Sequence, residues 1–411
     1  MSDPRYVQKG FGLKAQIKDL LQTDYHSRVV DALRERGHRL EVGDVEFRLA
    51  QEFGFCYGVD RAVDLAYETR KHFPDKTIYL TNEIIHNPFV NKRLVELGVR
   101  FLGSDGWSTA DVTAEDVVIL PAFGVTTAQL EELKAKGCVL VDTTCGSVMN
   151  VWRRVRQYAK DGLTSLIHGK YAHEETQATA SQALAHGGHY LVVRDEAEAQ
   201  LACDVIQGAA GALAPEAFVE RFRKATSPGF DPRVHLERVG VANQTTMLST
   251  ESLAIAGMVE RAMAARWGDE VGVRFRSFDT ICSATQDRQD AMLALGQTGG
   301  LDLIVVIGGY NSSNTINLAA LGGTFAPSFH IDGPDEIRSA DEIHHQPPGA
   351  KGRVLQRGWL PAGRVVVGLT AGASTPNRTV GEVIERICEV RGLDLGAIVP
   401  GAGRPLPLAL G

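Results

Sequence analysis

Three cysteines are the residues whose types and surroundings most clearly indicate chemistry. Cys56, Cys145 and Cys282 each follow a short apolar run and precede a segment with the apolar spacing of an amphipathic helix. Each sulfur is therefore expected at a helix N-terminus, where backbone N–H groups and the positive end of the helix dipole favour a thiolate. A single cysteine of this kind is readily explained as a small buried residue at a strand end. Three in one chain predict a three-thiolate site.

The number of thiolates limits which metal centre is possible. A structural zinc site normally closes with four protein ligands, so three cysteines leave it incomplete. Catalytic zinc does use three protein ligands, but more often His, Glu or mixed Cys and His. A cubane [4Fe–4S] cluster with one iron lacking a protein thiolate fits better. We therefore predict one such cluster per chain, held by Cys56, Cys145 and Cys282, with zinc as the alternative.

Turns rich in uncharged hydrogen-bond donors open several predicted helices. They are Gln244-Thr-Thr246, Asn311-Ser-Ser-Asn314 and the turn that contains Ser374. Hydroxyl and amide groups beside unsatisfied backbone N–H groups suit a phosphate or diphosphate. Helix capping explains any one of these turns, but Asn-Ser-Ser-Asn is more than one cap needs. His86 and His173 could add charge-assisted donors to the same anion, although each taken alone could equally be structural.

Glu175 is the carboxylate best placed to donate a proton. It follows His173 by two residues in the same polar turn, whereas its neighbour Glu174 is expected to face solvent. A carboxyl beside a negative cluster and an anionic substrate would have a raised pKa. A raised pKa suits a general acid, and Glu175 is therefore the predicted proton donor.

The elements that carry these turns repeat along the chain. His86, His173 and Asn311 follow the three cysteines by 30, 28 and 29 residues, and each block contains three strand–turn–helix units. Such a repeat predicts three similar α/β domains around a pseudo-threefold axis, with the turns facing a central cluster cavity. The predicted division is a helical N-terminal extension (1–46), three α/β domains (47–144, 145–280 and 281–400) and a C-terminal tail (401–411). Insertions at about 203–234 and 326–357 are interpreted as surface loops.

Composition excludes several classes of protein. A chain of 411 residues with 44% hydrophobic and 23% charged residues is typical of a soluble protein of two to three domains. The net charge of −7, with no block of Lys and Arg, argues against a nucleic-acid partner. Residues 1–48 contain neither a secretory signal nor a membrane span, so the expected compartment is the cytoplasm. Six cysteines there indicate metal or redox chemistry rather than disulfides, although Cys138, Cys203 and Cys388 receive no role.

Assembled, these residues resemble the 4-hydroxy-3-methylbut-2-enyl diphosphate reductase family, the last enzymes of the non-mevalonate isoprenoid pathway. The matching motifs, in order, are Gly54-Phe-Cys56-x-Gly-Val-Asp60-Arg-Ala, Glu83-Ile-Ile-His86-Asn, Asp142-x-Thr-Cys145, His173-x-Glu175, Gln244-Thr-Thr, Ile281-Cys282-x-Ala-Thr-Gln-x-Arg-Gln, Asn311-Ser-Ser-Asn and Ala371-Gly-Ala-Ser374. They extend from about residue 47 to 390, and as a set they are highly specific.

The resemblance implies an iron–sulfur reductase that removes the hydroxyl group of 4-hydroxy-3-methylbut-2-enyl diphosphate in a two-electron step, giving isopentenyl and dimethylallyl diphosphate. It implies that the substrate hydroxyl binds the open iron and that Glu175 supplies protons with the help of Thr245. The diphosphate-binding residues that it implies are His86, His173, Ser312, Ser313, Asn314 and Ser374. The expected electron donor is a ferredoxin or flavodoxin. We expect no nucleic-acid or membrane partner, and a monomer or homodimer.

One motif departs from the family pattern. Many bacterial members carry Ser-Ala-His-Gly where this chain has Pro-Ala-Phe-Gly at residues 121–124. Phe123 therefore replaces a histidine that binds the diphosphate. Together with the long N-terminus, this turn is similar to the cyanobacterial and plastid branch of the family.

Three other functions compete with the reductase. A three-cysteine [4Fe–4S] dehydratase of the quinolinate synthase type shares the threefold plan but not the His173-x-Glu175 and Asn-Ser-Ser-Asn motifs. A zinc hydrolase could use the same thiolates, but it would be colourless whereas a cubane cluster is brown. A non-catalytic iron–sulfur sensor would not need Glu175 and a diphosphate site together. The motifs favour the reductase over all three.

Overall fold

The computed structural model of the chain describes residues 4–104 and 106–402. The strands are β1 (Tyr6–Val7), β2 (Arg39–Val42), β3 (Val45–Leu49), β4 (Ile78–Leu80), β5 (Val99–Phe101), β6 (Val117–Leu120), β7 (Val139–Asp142), β8 (Thr164–His168), β9 (Tyr190–Val193), β10 (Val239–Asn243), β11 (Phe275–Ser277), β12 (Leu303–Ile307), β13 (Ser328–Ile331), β14 (Glu342–His345), β15 (Val354–Arg357) and β16 (Val365–Ala371).

The helices alternate with these strands along most of the chain. They are α1 (Lys14–Tyr25), α2 (Arg28–Glu35), α3 (Tyr57–His72), α4 (Pro88–Glu96), α5 (Thr127–Lys136), α6 (Gly146–Lys160), α7 (Glu174–Ala185), α8 (Glu196–Gln207), α9 (Pro215–Arg221), α10 (Pro232–His235), α11 (Ser249–Trp267), α12 (Val271–Arg274), α13 (Ser283–Gln297), α14 (Ser313–Gly322) and α15 (Asn377–Val390), with short 3₁₀ turns at Thr109–Asp111, Gly268–Glu270, Pro334–Glu336 and Leu395–Ala397. Among the described residues, no helix is both long and apolar enough to span a membrane.

The described residues form two compact units whose segments interleave in sequence. Unit 1 contains the segment that ends at Gln8, Tyr79–Asn82 and Leu102–Cys282. Unit 2 contains Lys9–Ile78, Glu83–Phe101 and the segment that starts at Ser283. The predicted division into three domains stays a prediction, and its C-terminal tail (401–411) lies outside the described residues from residue 403 onward.

The sheets of both units are mostly parallel. Unit 1 has one sheet in which β1, β7, β6 and β4 are consecutive and a second in the order β11–β10–β8–β9. Unit 2 has a sheet in the order β13–β12–β16–β3–β2, in which only the β2–β3 pair is antiparallel, and a separate hairpin of β14 and β15. The central strands of these sheets, such as β8 and β12, are buried along their whole length. Buried strands of this kind are typical of sheets covered by helices on both faces, so the α/β fold class is confirmed.

Each of the three cysteines follows a strand, and the three strands belong to three different sheets. Cys145 follows β7 in the first sheet of unit 1, and Cys282 follows β11 in the second. Cys56 follows β3, which pairs in parallel with β16 of the sheet in unit 2. Strand β3 forms where the sequence predicted it, and its Leu49 pairs with Leu369 of β16, so the strand before Cys56 lies in the same sheet as the strand before Ser374.

Helix α6 shows why the periodicity predicted these elements correctly. Val148, Val151 and Val155 are buried on one face, at the expected spacing. The helix begins directly after Cys145. All three helices expected after the cysteines, α3, α6 and α13, are therefore confirmed.

The two insertions are not surface loops, so that interpretation is wrong. The first contains α9 and α10, and Phe218 and Phe222 are almost completely buried in the core of unit 1. The second contains β13, which pairs in parallel with β12 and extends the sheet of unit 2. Gly, Pro and charged residues are typical of loops, so the composition of the insertions did not reveal these short elements. Their few apolar side chains are held by tertiary packing.

The N-terminal extension contains the two expected helices, α1 and α2, but also the strands β1 and β2. Asp24, which is 4% exposed at the end of α1, ties this segment to unit 2. Its Oδ2 accepts hydrogen bonds from Tyr67 Oη at 2.8 Å and from Arg93 Nε at 2.9 Å.

Replacing Asp24 by alanine is expected to lower the free energy of unfolding by about 1–3 kcal/mol, because the buried Tyr67 hydroxyl and the partly exposed Arg93 guanidinium each lose one acceptor. Urea unfolding monitored by circular dichroism measures this change. Asp19→Ala, at an exposed position of the same helix, is the control and should change stability by less than about 0.5 kcal/mol. Equal effects of the two substitutions would contradict the anchoring role of Asp24.

Candidate functional site

The turn before Cys145 is built around a buried carboxylate in unit 1. Asp142 Oδ1 accepts hydrogen bonds from the backbone N–H and the hydroxyl of Thr144. Its Oδ2 accepts from Tyr6 Oη at 2.7 Å and from Gln8 Nε2 at 3.0 Å. Both carboxylate oxygens are therefore satisfied, and the N-terminal segment of the chain holds the turn that positions Cys145.

Thr245 connects Cys282 with the predicted proton donor. Its carbonyl oxygen accepts the backbone N–H of Cys282 at 3.2 Å. Its own backbone N–H donates to Glu175 Oε1 at 2.6 Å, and its hydroxyl donates to Glu175 Oε2 at 3.0 Å. Glu175 is 2% exposed, so Thr245 satisfies a carboxylate that is almost completely removed from solvent. The pairing of these two residues was expected from the family resemblance, and the structure brings them together.

The same geometry bears on the expected raised pKa of Glu175. Burial raises the pKa of a carboxyl group, whereas donors to its ionised form lower it. The raised pKa therefore stays a prediction. Glu174, which was expected to face solvent, is only partly exposed and accepts a hydrogen bond from Asn82 Nδ2 at 3.0 Å. Glu174 is therefore less exposed than expected, because its carboxylate accepts the hydrogen bond from Asn82.

His173 caps helix α7 in a way that indicates its tautomer. Its Nδ1 accepts the backbone N–H of Glu175 at 3.2 Å, so Nε2 carries the proton when the ring is neutral. Glu174 Oε2 lies 3.9 Å from the same Nδ1, a distance too long to compete with the cap. The ring of Phe123 meets the ring of His173 edge to face, with centroids 6.0 Å apart. Phe123 therefore packs against His173, one of the predicted diphosphate ligands.

These contacts form one continuous path through unit 1. The backbone N–H of Cys145 donates to Ala122 O at 2.9 Å, in the turn that carries Phe123. From Phe123 the path passes through His173, the first turn of α7 and Thr245 to Cys282. Two of the predicted cluster ligands and the predicted acid thus belong to one rigid set of turns.

Gln244 holds two of these turns together. Its side-chain Oε1 accepts the backbone N–H of Lys170 at 3.1 Å and the hydroxyl of Thr176 at 3.2 Å. Its backbone N–H donates to His168 O at 2.8 Å. Gln244 therefore fixes the position of the His173 turn relative to Thr245.

Cys56 lies in unit 2, in a turn fixed by an arginine. Arg288 is 4% exposed and donates from Nη2 to Gly54 O at 2.6 Å. Gly54 has a φ of 76°, which an L residue with a side chain adopts only with strain. The backbone N–H of Cys56 donates to Ala373 O at 3.1 Å, which links this turn to the one that carries Ser374.

The ring of His86 is held by a carboxylate and an amide. Nδ1 of His86 lies 3.0 Å from Glu83 Oε2, and Asn311 Nδ2 donates to the same oxygen at 2.8 Å. Burial raises the pKa of Glu83, but the hydrogen bonds from His86 and Asn311 outweigh it, so the pKa is lowered and the group is a carboxylate. The Glu83 carboxylate therefore fixes the orientation of the His86 ring, and a histidine ring N–H can donate to an anion.

The Asn-Ser-Ser-Asn turn presents polar groups that helix capping does not use. Ser312 is the N-cap of α14, and its hydroxyl accepts from the backbone N–H of Thr315. Asn314 is 1% exposed, and its Oδ1 accepts the backbone N–H of Ala373 at 3.0 Å. Among the described residues its Nδ2 has no hydrogen-bond partner. A buried amide donor without a partner is costly, and a bound anion would satisfy it.

Glycine allows the turns of unit 2 to approach one another closely. A Cβ on Gly309 would lie 2.5 Å from His86 O, and a Cβ on Gly372 would collide with Thr315 Oγ1. Side chains at these positions would separate the turns that carry His86, Asn314 and Ser374. Unit 2 therefore brings together five of the six predicted diphosphate ligands (His86, Ser312, Ser313, Asn314 and Ser374), and the sixth, His173, belongs to unit 1.

The cysteines fall into two chemical groups, and none of the six, all of them described, forms a disulfide. Cys138, Cys203 and Cys388 are buried, and burial raises the pKa of their thiols, to about 11 for Cys203 and about 12 for Cys388. Cys56, Cys145 and Cys282 are partly exposed, and each directly precedes a helix. Within the described residues, neither Cys56 nor Cys145 uses its side chain as a cap. The second group has the surroundings of metal-binding thiolates and fits the predicted cluster.

Sequence reasoning missed several supporting residues. Tyr6 and Gln8 were placed in an extension without chemistry, yet they bind the carboxylate beside Cys145. Glu83 and Arg288 were quoted only as parts of motifs. Glu83 belongs to the motif of His86 and Arg288 to the motif of Cys282, which was a signal for both residues. Nothing local to Tyr6 indicates its contact with residue 142.

His168 is a buried histidine at the end of β8 whose role is structural. It is 0% exposed, its Nδ1 lies 2.8 Å from Ser252 Oγ, and burial lowers its pKa to about 4. In the unfolded chain the same group has a pKa near 6.5. The folded state therefore excludes a proton that the unfolded state binds, so stability is fully present above pH 6.5 and is lost as the pH falls toward 4.

We expect His168 to account for about 3 kcal/mol of this loss between pH 6.5 and 4. Urea midpoints measured at pH 7, 5.5 and 4.5 test this expectation. His168→Asn, which can keep the contact with Ser252, should have a flatter pH dependence than the unsubstituted protein. An unchanged slope would assign the acid sensitivity to other groups, such as the similarly buried His330.

Comparison with known proteins places the chain in a family. The family model described as LytB protein matches residues 47–388. The 4-hydroxy-3-methylbut-2-enyl diphosphate reductase of Gloeobacter violaceus is 49% identical over 401 residues, covering 96% of this chain and 94% of that protein. The reductase of the same name from Trichormus variabilis is 49% identical over 388 residues, covering 93% and 94%.

Two solved structures are similar as well. The structure of (E)-4-hydroxy-3-methyl-but-2-enyl diphosphate reductase, the terminal enzyme of the non-mevalonate pathway, is 26% identical, with a TM-score of 0.50 over 85% of this chain and 100% of that one. The corresponding reductase from Plasmodium falciparum is 22% identical, with a TM-score of 0.61 over 84% and 88%, and this likeness concerns the fold. The family model and the near-complete cyanobacterial matches lead to one conclusion: the chain belongs to the LytB protein family.

Proposed function

We propose that this chain is an oxidoreductase that converts 4-hydroxy-3-methylbut-2-enyl diphosphate to isopentenyl and dimethylallyl diphosphate, the last step of the non-mevalonate pathway. In this reaction a C–O bond breaks, two electrons and two protons are taken up, water leaves and a C–H bond forms. The observation that carries the proposal is the path of contacts from Cys145 through His173, Glu175 and Thr245 to Cys282. It connects two thiolate ligands with one buried proton donor, as a reductive dehydroxylation requires.

The proposed cofactor is one [4Fe–4S] cluster with Cys56, Cys145 and Cys282 as ligands. When bound, such a cluster supplies electrons one at a time and an iron that acts as a Lewis acid. The donor chemistry supports this assignment, because these three cysteines are partly exposed at helix starts and the other three are buried thiols.

The protons are proposed to come from Glu175. The backbone N–H of Thr245 holds Oε1 as an acceptor, which leaves Oε2 as the oxygen that gains and loses the proton. The hydroxyl of Thr245 contacts Oε2 at 3.0 Å and can reverse its hydrogen bond when the carboxyl is protonated. Thr245 is therefore proposed to relay the proton and to orient the acid.

The diphosphate is proposed to bind to His86, His173, Ser312, Ser313, Asn314 and Ser374. Asn314 contributes a buried amide donor, and His86 contributes a ring oriented by Glu83. His173 contributes Nε2–H, because its Nδ1 is occupied as the helix cap. Together these groups offer several hydrogen-bond donors to an anion.

The remaining proposals concern partners and location. The electron donor is a ferredoxin or flavodoxin, the chain acts as a monomer or homodimer, and its compartment is the cytoplasm. These assignments rest on the family resemblance.

An anaerobic assay tests the function directly. Purified brown protein is mixed with reduced methyl viologen, with and without 4-hydroxy-3-methylbut-2-enyl diphosphate, and dye oxidation is followed by absorbance. We expect oxidation that depends on substrate, and both isopentenyl and dimethylallyl diphosphate among the products. Absence of oxidation by protein with a full complement of iron would reject the reductase and favour the quinolinate synthase type of dehydratase.

A further inference from the structure

Two arginines lie beside an exposed aromatic ring on unit 1. We call this group the Arg154–Phe278 patch, and its members are Arg154, Arg276 and Phe278. The guanidinium carbon of Arg154 lies 3.9 Å from the centroid of the Phe278 ring. Arg276 precedes Phe278 by two residues, and Phe278 is 39% exposed.

The patch is supported rigidly from below. The Phe278 ring stacks on Tyr158, with centroids 6.4 Å apart and an interplanar angle of 25°. Tyr158 is 2% exposed, and its hydroxyl donates to Val241 O at 2.8 Å. A Cβ on Gly240 would lie 2.5 Å from the Tyr158 ring, so the glycine makes room for this side chain. Binding a partner here would require little ordering of side chains, which favours affinity.

The charge of the patch is not neutralised by the chain. Among residues 4–104 and 106–402, neither guanidinium group of the patch forms an ion pair with a carboxylate. Arg276 donates to the backbone carbonyl of Phe275. Asp279, beside Phe278, accepts the backbone N–H of Ile281. On a chain with a net charge of −7, this is a local excess of positive charge.

The patch lies on the two segments that lead to the proposed cluster ligands of unit 1. Arg154 is on α6, the helix that begins after Cys145, and nine residues of helix correspond to about 14 Å. Phe278 precedes Cys282 by four residues in a largely exposed strand-to-helix connection. Electron transfer weakens steeply with distance, and the patch lies no more than about 14 Å along the chain from either cysteine.

We propose that the Arg154–Phe278 patch is the docking surface for the electron donor, a small one-electron carrier protein with an acidic surface. The inference rests on the proposed function, because a two-electron reduction with single-electron delivery needs an external carrier. Arginine and exposed aromatic residues are enriched where binding energy is concentrated. Unpaired arginines also attract an acidic partner over a distance and speed its encounter.

Two donors measured side by side test the proposal. The first is a reduced acidic [2Fe–2S] ferredoxin, and the second is reduced methyl viologen, which needs no docking surface. For the double variant Arg154→Glu/Arg276→Glu we expect kcat/KM for ferredoxin to fall at least about tenfold at low ionic strength. Its dependence on salt should also become flatter, because the charges that salt screens have been reversed. Turnover with viologen should stay within about twofold of the unsubstituted protein.

A binding measurement and a matched control complete the design. Calorimetric titration with oxidised ferredoxin, in which no turnover occurs, should give a Kd raised at least about tenfold in the double variant. Arg223→Glu is the control, since it changes an exposed arginine near β9, the edge of the same sheet opposite to β11. It should leave both the titration and the ferredoxin-driven rate unchanged.

The outcomes separate the two proposals. No viologen oxidation by the unsubstituted protein would overturn the proposed function itself. Normal viologen turnover with an unchanged ferredoxin rate and Kd in the double variant would overturn the docking surface alone. If the double variant fails to fold, the single variants Arg276→Gln and Phe278→Ala test the docking surface, since each changes only one exposed side chain. A docking role requires each of them to weaken ferredoxin binding.

Discussion

Glu175→Gln is expected to lower turnover by about 10²–10⁴-fold while the protein keeps its iron and its fold. Glutamine has nearly the volume of glutamate, and its amide oxygen can still accept the backbone N–H of Thr245. Its NH₂ group can donate to the Thr245 hydroxyl, so the buried hydrogen bonds are replaced rather than lost. The one property removed is the ability to release and recover a proton. Substrate-dependent viologen oxidation measures the loss, and the absorbance of the bound cluster and the thermal midpoint confirm that the protein is intact.

Glu174→Gln is the matched control for this prediction. The two carboxylates are adjacent on the first turn of α7, so the substitutions change charge equally at the positive end of the same helix. Glu174 accepts a hydrogen bond from Asn82, and it makes no described contact with Thr245. We expect its substitution to change turnover less than about tenfold. Near-normal turnover in Glu175→Gln, or equal losses in both variants, would remove Glu175 from the proton path.

The sequence predicted those parts of the fold and site that depend on local patterns. The spacing of Val148, Val151 and Val155 is local to one helix, and α6 formed as expected. The repeat of cysteine and polar turn is also read directly along the chain, and it correctly predicted parallel strands leading into helices. The pairing of Glu175 with Thr245 joins residues 70 apart, and it was expected because both belong to family motifs.

The parts that were not predicted depend on contacts between distant segments without a motif. Tyr6 binds Asp142 across 136 residues, and no feature of a two-residue strand indicates that partner. The insertions form helices and a strand. In the first insertion Phe218 and Phe222 pack into the core of unit 1, and composition alone does not reveal such contacts. The tautomer of His173 and the ionisation of Glu83 depend on single hydrogen bonds, whose geometry exists only in the folded chain.

Cys145→Ser is expected to separate the chemical role of this residue from its structural role. Cys145 is the N-cap of α6, and in the described chain its sulfur makes no capping hydrogen bond. Serine is a preferred N-cap, so the variant should be as stable as the unsubstituted protein or more stable by up to about 1 kcal/mol. A neutral hydroxyl is a poor ligand for iron compared with a thiolate, so bound iron and the brown absorbance should fall. Turnover should fall about a hundredfold or more.

Cys138→Ser should give the opposite pattern and is therefore the informative control. Cys138 is 2% exposed, its thiol donates to Leu133 O, and burial raises its pKa, so it is not suited to bind metal. Placing a more polar hydroxyl in this core should lower the free energy of unfolding by about 1 kcal/mol and leave the iron content unchanged. Iron per chain and urea unfolding, measured on both variants, test the two roles independently. Full iron in Cys145→Ser would exclude its thiolate as a ligand, because a stabilising cap cannot substitute for a metal-binding sulfur.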